Sequence, residues 1–180
     1  PRVLTLASDG TLRMNPPEEI ARLRYHERQQ GDLEIAADGE RVVEGVQGAS
    51  LEIAVDLRAP TAQQYGLAVC SSPKQEEQTL IYYDATEQKL KIDTTRSSAA
   101  EGPKPIEAGP LALAAGEALR LRVYIDKSVV EVFANDGRQA VMRRIYPSRP
   151  DSTGVRLFAR GGPAKATALQ AWDLAPSNPF

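Results

Sequence analysis

The stretch Leu119–Tyr146, LRLRVYIDKSVVEVFANDGRQAVMRRIY, decides the fold. It holds three strand-like runs separated by two turn signals. In LRLRVYI, Leu119, Leu121, Val123 and Ile125 alternate with Arg120, Arg122 and Tyr124. In VVEVFA, Val130, Val132 and Ala134 share one face, and Val129, Glu131 and Phe133 share the other. The third run spans Gln139 to Tyr146. A period of two sends alternate side chains to opposite faces of a sheet, one packed and one free for solvent or a ligand. Asn135-Asp136-Gly137 is a strong hairpin signal, because these residue types accept positive φ at small steric cost. Asp126-Lys127-Ser128 is a weaker one. The stretch reads as an antiparallel meander rather than a nucleotide-binding α/β unit.

The same pattern extends in both directions. Further strands are expected at Leu33–Ala36, Val42–Val46, Ser50–Leu57, Tyr65–Ser71, Thr79–Asp84, Lys89–Thr94, Ile106–Leu113, Gly154–Arg160 and Lys165–Leu174. Many short strands separated by turn residues predict an all-β fold: an antiparallel, lectin-like (jelly-roll) β-sandwich of roughly a dozen strands. Ahead of it, Val3–Leu6 and Thr11–Met14 flank Ser8-Asp9-Gly10 and read as a hairpin. Pro16-Pro17 ends that hairpin. Glu18 to about Arg28 reads as a short helix, with Asn15 as its N-cap and two glutamates at the positive end of its dipole. Such a hairpin has too little core to stand alone, so Val3, Leu4, Leu6, Leu12 and Met14 are expected to be under-packed. The stretch SSAAEGPKP, residues 97–105, is a polar loop, and the tail SNPF is expected to be loosely held.

A chain of 180 residues can bury a disulfide-free core as one domain, with roughly 70% of its unfolded surface covered by the usual scaling. The net charge of −2 recruits no nucleic acid. No apolar run reaches the roughly 18 residues that a membrane helix needs. Cys70 is the sole cysteine and sits at the end of a strand-like run, where a buried, inert thiol is expected. His26 is the sole histidine, so no Cys/His cluster with zinc spacing exists, and no cofactor motif is present.

The meander resembles the C-terminal β-sandwich module of glycoside hydrolase family 32, the invertase, levanase and fructanase group. The residues that carry the resemblance are Asp126, Ser128, Val130, Glu131, Val132, Phe133, Asn135, Asp136, Gly137, Tyr146 and Pro147. Pro1-Arg2-Val3-Leu4 and the residues up to Arg24 resemble the segment where that family's catalytic domain ends and its linker begins. The resemblance implies a division at residue 30: a propeller-derived hairpin and linker helix over 1–30, and the sandwich over 31–180. It also implies that the preceding part of the protein is absent, so the chain's first residues carry no information on export. The implied partner is an N-terminal five-bladed catalytic propeller. A fructan ligand and homo-oligomer contacts are the other implied partners.

Glycoside hydrolysis needs two carboxylates that flank the scissile bond, about 5–10 Å apart. Asp126 and Glu131 are the tempting pair, but both have structural duties in prospect: Asp126 with Ser128 at turn amides, Glu131 with a cross-strand Arg122 or Arg143. The family's three catalytic motifs, Asn-Asp-Pro-Asn-Gly, Arg-Asp-Pro and a Glu beside Cys, are all missing. No catalytic residue is therefore assigned. The expected function is that of a non-catalytic module that buttresses the propeller; the alternative is a fructan-binding module. For that alternative the candidate contacts are Glu131, Arg143, Arg144 and Tyr146, because charged groups recur beside the motif and a furanose offers both C–H faces and hydroxyls. Trp172 is expected in the core rather than on a sugar platform, and one of Tyr82 and Tyr83 must point outward.

Overall fold

The computed structural model describes residues 1–177; residues 178–180, which make up most of the tail, lie outside the described residues. Among those described, the chain passes through β1 (Val3–Leu6), β2 (Leu12–Asn15), a 3-10 turn (Glu18–Leu23), β3 (Arg24–Gln30), β4 (Leu33–Ile35), β5 (Glu40–Gln47), β6 (Ser50–Arg58), β7 (Gln64–Ser71) and β8 (Thr79–Asp84). It continues through β9 (Lys89–Asp93), β10 (Ile106–Pro110), β11 (Leu119–Asp126), β12 (Val129–Ala134), β13 (Gln139–Arg144), β14 (Gly154–Arg160) and β15 (Ala164–Leu174).

Two antiparallel sheets form the sandwich. One is ordered β10-β9-β8-β7-β14-β5; the other is ordered β13-β12-β11-β6-β15-β3, with β4 pairing alongside β15. The meander pairs in register, Val123 opposite Val132 and Val132 opposite Val141. Pleating then sorts the residues. Leu51, Ile53, Val55 and Leu57 of β6, Leu121, Val123 and Ile125 of β11, and Val130 and Val132 of β12 turn inward. They meet Leu67 and Val69 of β7, Ile81 and Tyr83 of β8, Leu90 and Ile92 of β9, and Val155 and Leu157 of β14 in one continuous buried cluster. Tyr83 lies edge-on to Tyr65 in that cluster, whereas Tyr82 turns out and meets Phe158. Cys70 is buried, and burial pushes its thiol up to about 12, so it is unreactive at neutral pH.

The Asn135-Asp136-Gly137 turn forms as expected, with φ of 46°, 57° and 75° at the three residues. Asn135 contributes more than its backbone: its side-chain oxygen accepts from the Arg120 amide at 3.0 Å, and its amide group donates to Glu117 Oε1 and the Ala118 carbonyl, both at 2.9 Å. Gly137 is obligatory for a second reason. A Cβ there would collide with the Met14 carbonyl of β2, and the Gly137 carbonyl accepts from the Met14 amide at 2.9 Å. The turn is thus the place where the N-terminal hairpin rests on the sandwich. At the other hairpin, Lys127 donates its amide to the Ala49 carbonyl at 2.6 Å. Among the described residues no turn amide is held by the Asp126 carboxylate, contrary to the expectation for Asp126 and Ser128.

The expected helix over Glu18–Arg28 is corrected. Only Glu18–Leu23 coils, as a 3-10 turn; it starts from extended Pro17 and has no side-chain cap, so Asn15 is not its N-cap. Arg24–Gln30 is instead an edge strand on β15. Its polar sequence, RYHERQQ, shows no alternation of apolar residues, and His26 at φ 49° sits at a shift in its register. What recruits the strand is tertiary: Arg24 and Arg28 find carboxylates on the sheet, and long-range pairing overrides local propensity.

One buried carboxylate organises the loops at the end of the sandwich. Glu77 has no exposed surface. It accepts from the amides of Ala99 (2.7 Å), Ser148 (3.1 Å) and Arg149 (3.1 Å) and from the hydroxyls of Ser152 (2.7 Å) and Ser148. Burial works to raise its pKa, but the donated hydrogen bonds of Ser148, Ser152, Ala99 and Arg149 outweigh it and bring Glu77 to about 2 from an ordinary 4.5. Because the folded-state value is depressed, this stabilisation is full above the unfolded value and is lost as pH falls from 4.5 toward about 2. Denaturant titrations across that acid window are expected to show stability falling by on the order of 3 kcal/mol through this group. Glu77→Gln, which turns an NH2 group toward donors, is expected to lose that amount already at neutral pH and to flatten the acid slope.

Phe133 is 4% exposed, but it lies on the outer face of its sheet rather than between the sheets. It is covered edge-on by Tyr124 at 6.0 Å between ring centroids and by the Arg2 guanidinium at 5.9 Å. Phe133→Ala is expected to cost about 3 kcal/mol in equilibrium unfolding. A loss below about 1 kcal/mol would mean that the outer face does not hold this ring.

Candidate functional site

β13 is an edge strand of its sheet, and the loop that follows β9 faces it. Between them runs a groove of about 690 Å³ whose lining includes Ser97, Ser98, Lys104, Arg143, Arg144 and Tyr146. Three of the four sequence-nominated residues, Arg143, Arg144 and Tyr146, therefore come together. Glu77 lies behind both walls: through Ala99 it holds the loop, and through Ser148 and Arg149 it holds the segment after Tyr146. Thr94 adds a further tie from its hydroxyl to the Pro105 carbonyl at 2.6 Å. The groove is thus shaped before any ligand arrives.

Register decides how the two arginines enter. Arg143 stands opposite Val130 and Arg144 opposite Val129, so they leave β13 on opposite faces. Arg143 reaches Glu107 of β10 at 3.3 Å across the rim of the sandwich. Arg144 and Lys104 form no ion pair among the described residues. Glu101 is the only carboxylate in the lining against those three cations. Tyr146 is 61% exposed and offers a free ring face.

Glu131 is not part of the groove. It stands opposite Met142 and Tyr124, not opposite the arginines proposed as its cross-strand partners. Its carboxylate instead accepts from Arg2 Nε at 2.7 Å. Arg2 also lies 3.8 Å from the Met14 sulfur, so it bridges the hairpin and the outer face of the sheet. A residue 129 positions away in sequence carries no local signal of this pairing. Asp126 and Glu131 share the outer face, two positions apart along the hairpin, yet the groove contains neither.

Sequence reasoning missed a second polar centre, on the outer face of the β6 sheet. Glu52 has no exposed surface and takes a two-pronged contact from Arg24, Nε at 2.7 Å and Nη2 at 2.6 Å. Arg122 Nε adds an ion pair at 3.4 Å. The Arg24 guanidinium stacks 4.4 Å from the Trp172 ring centroid. Trp172 is buried as expected, but under an arginine and not between the sheets. Burial and then the Glu52 charge push the Tyr124 phenol upward, so it stays protonated beside that carboxylate. Beyond it, Asp173 accepts from Arg28 at 2.6 Å and lies 3.2 Å from His26 Nδ1, which places the histidine on an edge strand beside a carboxylate rather than at a helix end. An alternating strand such as SLEIAVDLR does not distinguish a solvated glutamate from this one.

The family described as glycosyl hydrolases family 32 C terminal matches residues 19–173. The chain is 31% identical over 163 residues to a sucrose-6-phosphate hydrolase from Staphylococcus xylosus, covering 90% of this chain and 31% of that protein. It is 30% identical over 183 residues to a levanase from Bacillus sp. (strain L7), covering 97% of this chain and 19% of that protein. The chain thus spans a third or less of these relatives. In structure it superposes on fructan 1-exohydrolase IIa from Cichorium intybus with a TM-score of 0.88, at 17% identity, over 98% of this chain and 41% of that one. That neighbour shares the fold of both sheets and of the hairpin that rests on them. From the match across residues 19–173, the chain belongs to glycoside hydrolase family 32 as a C-terminal β-sandwich domain.

Proposed function

We propose that this chain is the non-catalytic C-terminal module of a β-fructosidase-like hydrolase, and that it buttresses the catalytic propeller of the same protein. The parent's substrates in this reading are β-fructofuranosides of the sucrose, inulin or levan type. The observation that carries it is the hairpin. Its cross-strand pairs Leu4 with Met14 and Leu6 with Leu12 give it one apolar face. Leu6 is 76% exposed, and Leu4 and Leu12 are also open. Two strands alone are marginal in water, and such a face calls for a sheet to pack against. The hairpin then belongs on the propeller side, the turn Glu18–Leu23 is the linker, and the sandwich begins at Arg24, because β3 pairs within its sheet. The Arg2–Glu131 pair and the Met14–Gly137 hydrogen bond would set the angle between the two parts. The same exposed hairpin is the surface on which a second copy could be held.

A second reading, a carbohydrate-binding module, is favoured by one observation: Arg143, Arg144 and Tyr146 line one groove with Ser97 and Ser98. The two readings use different surfaces and are compatible.

The purified chain is expected to release no reducing sugar from sucrose, inulin or levan. Release that disappears in Asp126→Asn or Glu131→Gln would reverse the assignment. Leu6→Asp should leave the unfolding midpoint of this chain within about 0.5 kcal/mol. In the protein that also carries the propeller it should lower the melting temperature or free the domains from one another, as seen by limited proteolysis. Equal effects in both settings would count against the buttress role.

A further inference from the structure

The groove beside β13 has a charge pattern that the second reading leaves unexplained. A neutral fructan needs hydroxyl-matching groups and a ring to stack on, not an excess of cations. Here Lys104, Arg143 and Arg144 face a single lining carboxylate, Glu101. Some arginines of this chain find acids, as Arg24 and Arg122 share Glu52, Arg28 takes Asp173, Arg120 takes Asp136 and Arg149 takes Asp151, and others donate to backbone carbonyls, as Arg58 does to Gly116 and Arg156 to Pro73. Among the described residues Arg144 and Lys104 have neither kind of partner, and both line the groove whose walls Glu77 ties. Cations kept apart from carboxylates at a pre-formed concavity are suited to a doubly charged, multi-oxygen ligand, and the planar guanidinium fork matches phosphate geometry.

We propose that this groove binds a sugar carrying a phosphate monoester, resting on the second reading that it takes a saccharide at all. Arg144 and Lys104 take the phosphate oxygens. Arg143, half-engaged with Glu107, contributes when the ligand draws it inward. Tyr146 offers its free face to the C–H side of the sugar ring, and the Ser97 and Ser98 hydroxyls stand where ring hydroxyls can be met. A volume of about 690 Å³ accommodates a monosaccharide phosphate with its bridging waters. No bond is made or broken; the site recognises.

The test is a set of titrations of this chain, read by calorimetry and amide shifts, with fructose 6-phosphate, inorganic phosphate, fructose and an inulin oligosaccharide. Fructose 6-phosphate is expected to bind at least about tenfold more tightly than fructose. Its affinity is expected to weaken about fivefold between roughly 20 and 200 mM salt, because the contacts are open to solvent. Arg144→Ala and Lys104→Ala, both at surface positions, should each weaken it about fivefold while leaving the unfolding midpoint in place. Tyr146→Ala should weaken fructose 6-phosphate and leave inorganic phosphate unaffected. If the neutral oligosaccharide binds as tightly as the phosphorylated sugar, the phosphate inference is overturned and the fructan reading stands. If inorganic phosphate matches fructose 6-phosphate and Tyr146→Ala changes nothing, the groove is a plain anion site and the sugar part is overturned. If no compound shifts the groove amides, both this inference and the second reading fail, and the buttress role is untouched.

Discussion

Each of the two sheets has one apolar face, and neither can keep that face from water except against the other. The inward residues of β6, β11 and β12 and those of β7, β8, β9 and β14 therefore form a single buried cluster. Apolar burial at roughly 25 cal/mol per Å² is the largest favourable term available to such a domain. Everything else in the molecule is arranged around that contact. A register slip of one residue in β11 would turn Leu121, Val123 and Ile125 outward and bring Arg120, Arg122 and Tyr124 into the core.

The outer face of the β6 sheet uses a different physics. Glu52, Arg24, Arg122, Tyr124 and Trp172 form a dense polar and aromatic cover in which an inaccessible carboxylate is matched by two guanidinium groups. Such a pair adds little net stability over apolar packing, but removing one partner is costly, so it acts chiefly to specify one arrangement. Here it specifies where the chain goes after the 3-10 turn, because Arg24 is the first residue of β3. Glu77 does the same at the end of the sandwich. Its five donors come from two loops, the one after β9 and the one after β13, and a carboxylate held well below its ordinary range stays charged into mild acid.

These anchors separate two surfaces. The hairpin side, joined to the sheet by Arg2 and Gly137, presents apolar residues with nothing beneath them. The groove side, joined to Glu77, presents cations and an open tyrosine. The sheet between them holds the two surfaces in a fixed relation, which the proposed support of a neighbour and the proposed recognition of a small ligand both use.

The family-bearing stretch Leu119–Tyr146 was legible because its information is local: alternation states which face packs, and Asn135-Asp136-Gly137 states where the chain reverses. The same holds for the strands from Leu33 to Leu174 and for the exposed apolar face of the hairpin. The site was legible only in part. Arg143, Arg144 and Tyr146 lie close together in sequence, at the end of one strand, so their neighbourhood in space follows from the chain itself. Their groove also needs Ser97 and Lys104, and the link between those loops is Glu77, about twenty residues before one wall and seventy before the other. The pairing of Glu131 with Arg2, in place of the expected Arg122 or Arg143, was illegible for the same reason, since Arg2 is 129 residues away. Arg24–Gln30 was misread because its own residues favour no particular element, and only Glu52, Asp173 and the free edge of β15 make it a strand. The sequence by itself determined the sandwich, its turns and the family, all of which rest on side-chain period and backbone preference. Tertiary structure alone decided which charges are paired and which are left free, because Coulomb and hydrogen-bond energies depend on distance in space and on burial, and neither is written in the order of the residues.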